Sequence, residues 1–156
     1  MKKVNLLSVA KAILTFVLFA GILNACSNST SSGEEEHEPV GFVIYEGNTE
    51  LVSQNISGEV NGNLTVETNS STTFRVAFID VDGEVFTPDK AEHSLQFQTV
   101  DGSGSFSITQ ENANEPFLFA ITGESGGNSS LTFQLLHVGA VEFESATVPV
   151  TITSSN

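Results

Sequence analysis

The chain has 156 residues, with 19 Asp and Glu against five Lys and Arg, a formal charge of −14 at pH 7. So acidic a surface repels the phosphates of nucleic acid and of anionic lipid headgroups, so neither is an expected partner. The single cysteine, Cys26, leaves no intramolecular disulfide, and any folded unit must be held by its own core.

Taken in order, residues 1–25 read as an export signal. Lys2, Lys3 and Lys11 are basic, and residues 12–23 are apolar except for Thr15. That run is too short for a comfortable membrane span of about 20 residues. It ends in Leu23-Asn24-Ala25-Cys26, which resembles the lipobox of bacterial lipoproteins: leucine at −3, a small residue at −1 and cysteine at +1. The resemblance implies cleavage before Cys26 by a signal peptidase II and acylation of Cys26, so that a membrane is a partner through lipid. One acyl chain holds a protein only marginally, at about 0.8 kcal/mol per buried CH₂, and a lipobox cysteine carries more than one. By the same resemblance Ser27, not Asp, implies delivery to an outer membrane, with the domain facing periplasm or exterior. Removing the signal leaves Arg75 and Lys90 against all 19 acidic residues, a formal charge of −17.

Residues 26–39 read as the lipidated cysteine and a disordered tether. Residues 27–33 (SNSTSSG) are polar and low in complexity, and Glu34-Glu35-Glu36-His37-Glu38 follows before Pro39. Residues 40–156 read as one domain with no helical period. Apolar residues recur at every second position instead: Phe42 and Ile44; Leu64 and Val66; Phe74, Val76 and Phe78; Leu95 and Phe97; Phe117, Phe119 and Ile121; Leu131, Phe133 and Leu135; Val148, Val150 and Ile152. Asn61-Gly62, Asp82-Gly83 and Asp101-Gly102 are dipeptides suited to tight hairpin turns, and residues 123–130 (GESGGNSS) read as a looser loop. Pro149 places the last strand at an edge or turns its amide outward. Eight or nine short strands, each with one apolar face and no helix to cover it, call for two sheets packed face to face. Ten phenylalanines and no tryptophan fill the core of that β-sandwich.

Leu64-Thr65-Val66, Phe74-Arg75-Val76-Ala77-Phe78 and Asp80-Val81-Asp82-Gly83-Glu84 resemble the opening of bacterial immunoglobulin-like domains. Residues 127–133 and the closing run 146–153 (ATVPVTIT) are similar to their end. The resemblance implies an all-β, immunoglobulin-like antiparallel β-sandwich, preceded here by a signal helix and the tether. It says little of function, since that architecture hosts many activities.

Three constellations offer chemistry. Asp80-Val81-Asp82-Gly83-Glu84 departs from a calcium-binding EF-hand loop, which needs Gly at position 6 and Glu at 12; Asp80, Asp82, Glu84 and Asp89 remain as a weak Ca²⁺ set. His37 sits among tether carboxylates. His93 and His137 share the inward parity of their strands and stand at strand ends. If those ends coincide, the two imidazoles with Glu92 or Glu142 would hold Zn²⁺ or Cu²⁺. Catalysis has little support: there is no G-x-S-x-G elbow, no H-E-x-x-H, no phosphate-binding glycine loop and no available thiol, and nothing singles out a carboxylate pair. Two functions follow. One is a lipid-anchored envelope protein with a non-catalytic binding or structural domain, for which Leu118, Leu136 and Val138 have the outward parity of a protein-binding surface. The other is capture of divalent cations.

Overall fold

The computed structural model describes residues 37–155 apart from 101, 111 and 113. The expected signal peptide, Cys26 and most of the tether lie outside the described residues. Residues 37 onward form one compact unit of twelve strands: β1 (Gly41–Glu46), β2 (Thr49–Gln54), β3 (Val60–Gly62), β4 (Leu64–Glu67), β5 (Ser71–Ile79), β6 (Val85–Phe86), β7 (His93–Val100), β8 (Ser105–Thr109), β9 (Leu118–Ser125), β10 (Gly127–His137), β11 (Ala140–Glu144) and β12 (Val148–Thr153).

Two sheets form. One runs β3-β2-β1-β5-β9-β8, with β6 added beside β5; the other runs β11-β10-β12-β4, with β7 on β10. Every strand pairing is antiparallel except that of β12 with β4. The stretch β1-β5-β9-β8 reproduces the A-B-E-D order of an immunoglobulin sheet, and β7-β10-β12 reproduces C-F-G. The fold is an all-β, immunoglobulin-like sandwich.

Alternation does what it should at the centre of each sheet. In β4 the burial alternates residue by residue, Leu64 and Val66 in, Thr65 and Glu67 out. Phe74, Val76 and Phe78 of β5, Leu131, Phe133 and Leu135 of β10, and Val148, Val150 and Ile152 of β12 are all buried. Phe42, Phe74, Phe78, Phe119 and Phe133 are the largest fully buried side chains. They meet between the sheets: Phe42 stands edge-on to Phe133 at 4.9 Å, and Phe74 packs on Phe119 at 5.6 Å.

The expected eight or nine strands become twelve because several are fragments. β11 and β12 pair with successive parts of the same side of β10, as one strand interrupted at residues 145–147. Buried Ser145 bridges the gap. Its amide donates to Phe133 O at 2.9 Å, and its Oγ accepts the Phe133 amide at 2.8 Å. The Ala146 amide donates to Gln54 Oε1 at 2.7 Å, so the Ser145 and Ala146 amides both keep partners across the break.

The punctuation needs three corrections. Asn61-Gly62 is no hairpin turn: it lies in β3, paired with β2, where the chain leaves one sheet for the other. Residues 127–130 are strand, not loop, and pair with β12. β12 lies between β10 and β4 rather than at an edge; Pro149 is tolerated because pairing with β4 begins only at Val150. Asp82-Gly83 does turn the chain from β5 into β6, closed by Gly83 N–H to Asp80 O at 3.1 Å. Asp101 lies outside the described residues.

Candidate metal centre at the end of the sandwich

β7 begins at His93 and β10 ends at His137, and the β7–β10 register pairs these two residues opposite each other. Paired positions in neighbouring strands present their side chains on one face. The two imidazoles accordingly stack, with centroids 4.5 Å apart and planes 10° from parallel. The separation in sequence hides a direct contact.

A turn ahead of β7 fixes His93. Asp89 O accepts the His93 amide at 3.0 Å and is 2.9 Å from His93 Nδ1, while Asp89 Oδ1 accepts the Ala91 amide at 3.0 Å. A carbonyl can only accept, so Nδ1 carries the hydrogen and Nε2 faces outward from this anchor. Beyond the last pair, Glu92 O accepts the Val138 amide at 2.8 Å. The chain then reverses through Val138 and Gly139, with φ of 50° and 83°. Two positive φ values match the twist of a two-residue hairpin, but a β-branched residue there is strained.

The carboxylates arrive from both sides. In β11 the register skips a residue: Leu135 faces Phe143 and Leu136 faces Val141, leaving Glu142 as the extra residue of a bulge. Bulges re-aim side chains, and Glu142 Oε2 lies 3.2 Å from His93 Nε2. On the other flank Glu92 Oε2 lies 3.2 Å from His137 Nε2. Side-chain exposure rises from 13% for His93 and 31% for Glu142 to 45% for His137 and 60% for Glu92, so the cluster is rooted in the sandwich and open to solvent. One ligand atom from each of His93, His137 and Glu142 lies within 4.8 Å of the others, the single such group among the described residues.

Among the described residues, both basic side chains are engaged elsewhere. Lys90 is engaged by Glu115, and Arg75 lies over the Tyr45 ring at 4.5 Å. The carboxylates here are left to the histidines or to a cation from outside.

His37 belongs elsewhere. It is not a third imidazole of the cluster: its Nδ1 bonds Asp80 Oδ2 at 2.6 Å, and its ring stacks on Phe86 at 4.8 Å. The residue assigned to the tether is thus held on the domain. Asp80 Oδ1 meanwhile accepts the amides of Asp82 at 3.0 Å and Glu84 at 2.9 Å. Both oxygens being committed to the turn and to His37, Asp80 is a poor calcium ligand. The Glu84 amide, then the His37 bond, then the Asp82 amide hold its carboxyl below the ordinary value of 3.8, against the opposing effect of burial.

A carboxyl lowered in the folded state stabilises above its unfolded pKa, and that contribution is lost as pH falls through the lower, folded value. Acid titration of the wild-type chain should therefore show a stability loss below about pH 4 that Asp80→Asn does not share. Urea-denaturation midpoints of both proteins from neutral pH to pH 3 measure it; parallel curves would refute the assignment.

Sequence reasoning missed Asp89 as the group that orients His93, and it did not foresee that Glu92 and Glu142 would each take one imidazole. The turn residues before β7 signalled the first only once the register was known. Catalytic groups do not converge at the groove over β7 and β10, which is lined by Gln96, Gln98, Thr132, Gln134, Glu144 and two phenylalanines.

No family model matches the chain, and no curated protein matches it. Among solved structures, the chain is similar to domains 4 and 5 of the S-layer protein SbsC, with 13% identity, a TM-score of 0.42, and 65% of this chain and 63% of that one covered. A structure of domains 4–9 of the same protein shows 16% identity and a TM-score of 0.44 over 62% of this chain and 13% of that one. The filamin domain of Lin-41 shows 14% identity and a TM-score of 0.27, over 58% and 85%. The chain spans less than two thirds of the length of either SbsC structure. The class of protein is set by the strand order itself: an immunoglobulin-like β-sandwich with a histidine–carboxylate cluster at one end.

Proposed function

We propose that the protein is a lipid-anchored, non-catalytic envelope protein, held at an outer membrane through Cys26 and presenting one immunoglobulin-like binding module. The observation that carries the reading is the only cysteine standing directly behind Leu23-Asn24-Ala25, with a compact sandwich beginning at His37. Multiple acyl chains on one residue suffice for stable anchoring. The surface sketched from Leu118, Leu136 and Val138 is less favoured, because Leu118 and Leu136 are half-buried and only Val138, at 78%, is fully open.

The test is metabolic labelling with radioactive palmitate in a bacterial host, followed by detergent phase partition. Wild type should carry label and enter the detergent phase, and Cys26→Ala should do neither. An unlabelled wild-type protein in the aqueous phase would remove the anchor. A second reading, capture of a divalent cation, is compatible with the first and is favoured by the convergence of His93, His137 and Glu142.

A further inference from the structure

We infer that the adjoining ends of β7, β10 and β11 form a binding site for one divalent transition-metal ion, Zn²⁺ or Cu²⁺, with His93 Nε2, a ring nitrogen of His137 and the Glu142 carboxylate as ligands and Glu92 as a further oxygen donor. This deepens the cation-capture reading and is independent of the lipid anchor.

The charge arrangement is the first argument. His93 Nδ1 is spent as a donor to Asp89 O, which leaves Nε2 of a neutral ring as a lone-pair donor 3.2 Å from Glu142 Oε2. A lone pair and a carboxylate side by side repel, and a cation shared between them relieves the repulsion. His137 differs: its Nε2 lies 3.2 Å from Glu92 Oε2 in a hydrogen bond that the Nε2–H tautomer of the ring donates. A divalent ion takes the His93 lone pair while drawing the rings and carboxylates toward a common point.

Geometry is the second. A tetrahedral ion with bonds of about 2.0–2.1 Å holds its ligand atoms roughly 3.3 Å apart. His93 Nε2 and Glu142 Oε2 already stand at that spacing, and one ligand atom from each of His93, His137 and Glu142 lies within 4.8 Å of the others. Closing the remainder asks only for rotation of His137 and Glu142, the more exposed partners. The backbones beneath them do not have to move, being fixed by the β7–β10 register pair and the β10–β11 hairpin. A hydrogen bond from the non-ligating nitrogen of a ligand histidine to a carbonyl is the usual support of such a site, since it sets the tautomer; Asp89 O supplies it to His93.

Backbone strain is the third. Val138 adopts φ 50° at 78% exposure, and a β-branched residue in that region is unfavourable by itself. Its position is imposed by the tight reversal that places His137 opposite His93 and Glu142 beside them. Two imidazoles with carboxylates suit Zn²⁺ and Cu²⁺, whereas Ca²⁺ takes six to eight oxygens.

The experiment uses the full chain in detergent, free of any histidine tag, titrated calorimetrically at neutral pH with Zn²⁺, Cu²⁺ and Ca²⁺. We expect one ion per chain for Zn²⁺ or Cu²⁺, and no heat with Ca²⁺. His93→Gln and His137→Gln should each weaken binding by at least about tenfold. Glu142→Gln should weaken it too, while His37→Gln should leave it unchanged. Electron paramagnetic resonance of the Cu²⁺-loaded wild type should show coupling to two imidazole nitrogens, a readout that needs no variant to fold. Cys26→Ala should bind with wild-type affinity, so a failed anchor and a failed site remain distinguishable. Absence of heat with both transition metals, or full affinity in both histidine variants, overturns the inference.

Discussion

Phe78→Ala is expected to destabilise the domain by about 3–5 kcal/mol, a large share of the roughly 5–15 kcal/mol that such a domain has in total. Phe78 is fully buried on β5. Its ring stands edge-on to Phe117 at 6.2 Å, Phe133 at 6.4 Å and Phe143 at 5.7 Å, and lies tilted against Phe86 at 6.2 Å. Phe133 and Phe143 belong to the opposite sheet, so one side chain joins the two layers. Truncation removes the transfer free energy of a benzyl group and leaves a void lined by four other rings. Phe86, Phe133 and Phe143 are held by strands and Phe117 by the chain just ahead of β9, so the rings collapse only partly into it. Aromatic pairs add about 0.5–1.5 kcal/mol each beyond area burial, and no disulfide shares the load. Urea denaturation followed by far-ultraviolet circular dichroism measures the effect, since the chain has no tryptophan. A loss below about 1.5 kcal/mol, the scale of trimming one or two methylenes, would mean that Phe78 is not the joint described.

The parity of Phe74, Val76 and Phe78, or of Val148, Val150 and Ile152, was legible because a period of two records which face of a sheet meets the core. Pairing partners were not, since period two is silent on which distant strand lies alongside. Residues 127–130 show the limit. Gly127, Asn128, Ser129 and Ser130 read as loop because they carry no apolar pattern, yet their backbones pair with β12. There the ladder rests on backbone groups, and side-chain chemistry records nothing of it. Ser145 is similar: a polar residue inside the sandwich is signalled only by the Phe133 groups it satisfies. At the histidine–carboxylate cluster, parity placed His93 and His137 on the inward side at strand ends. Their juxtaposition depends on the β7–β10 register, and the choice of Glu142 depends on a bulge in β11. His37 was misplaced for a different reason. Its composition is that of a tether, and the contacts with Phe86 and Asp80 that hold it to the fold leave no mark in the sequence.

Gly62→Ala is expected to rival the loss of Phe78, although it adds a single methyl group at an exposed position. Gly62 has φ of 98°, a conformation that costs a residue with Cβ about 1–3 kcal/mol. A Cβ there would also lie 2.0 Å from Leu51 O and 3.0 Å from the Cα of Val52. Those are backbone atoms of β2, so neither can swing aside, and β3 must move off its partner. Such forced shifts cost about 1–3 kcal/mol more, for a total of roughly 2–6 kcal/mol. The location makes the shift consequential. Gly62 is the last residue of β3, paired with Val52 in one sheet, and Leu64 two residues later begins β4 in the other. Displacing Gly62 therefore pulls on Leu64 and on its fully buried place in the core. Gly47→Ala provides the control. It has φ of 58° with nothing within 4 Å of the added carbon, so it bears the conformational cost alone, about 1–2 kcal/mol. Denaturation midpoints for the two variants separate strain from collision: Gly62→Ala must fall clearly below Gly47→Ala, and equal losses would show that close approach to Leu51 plays no part.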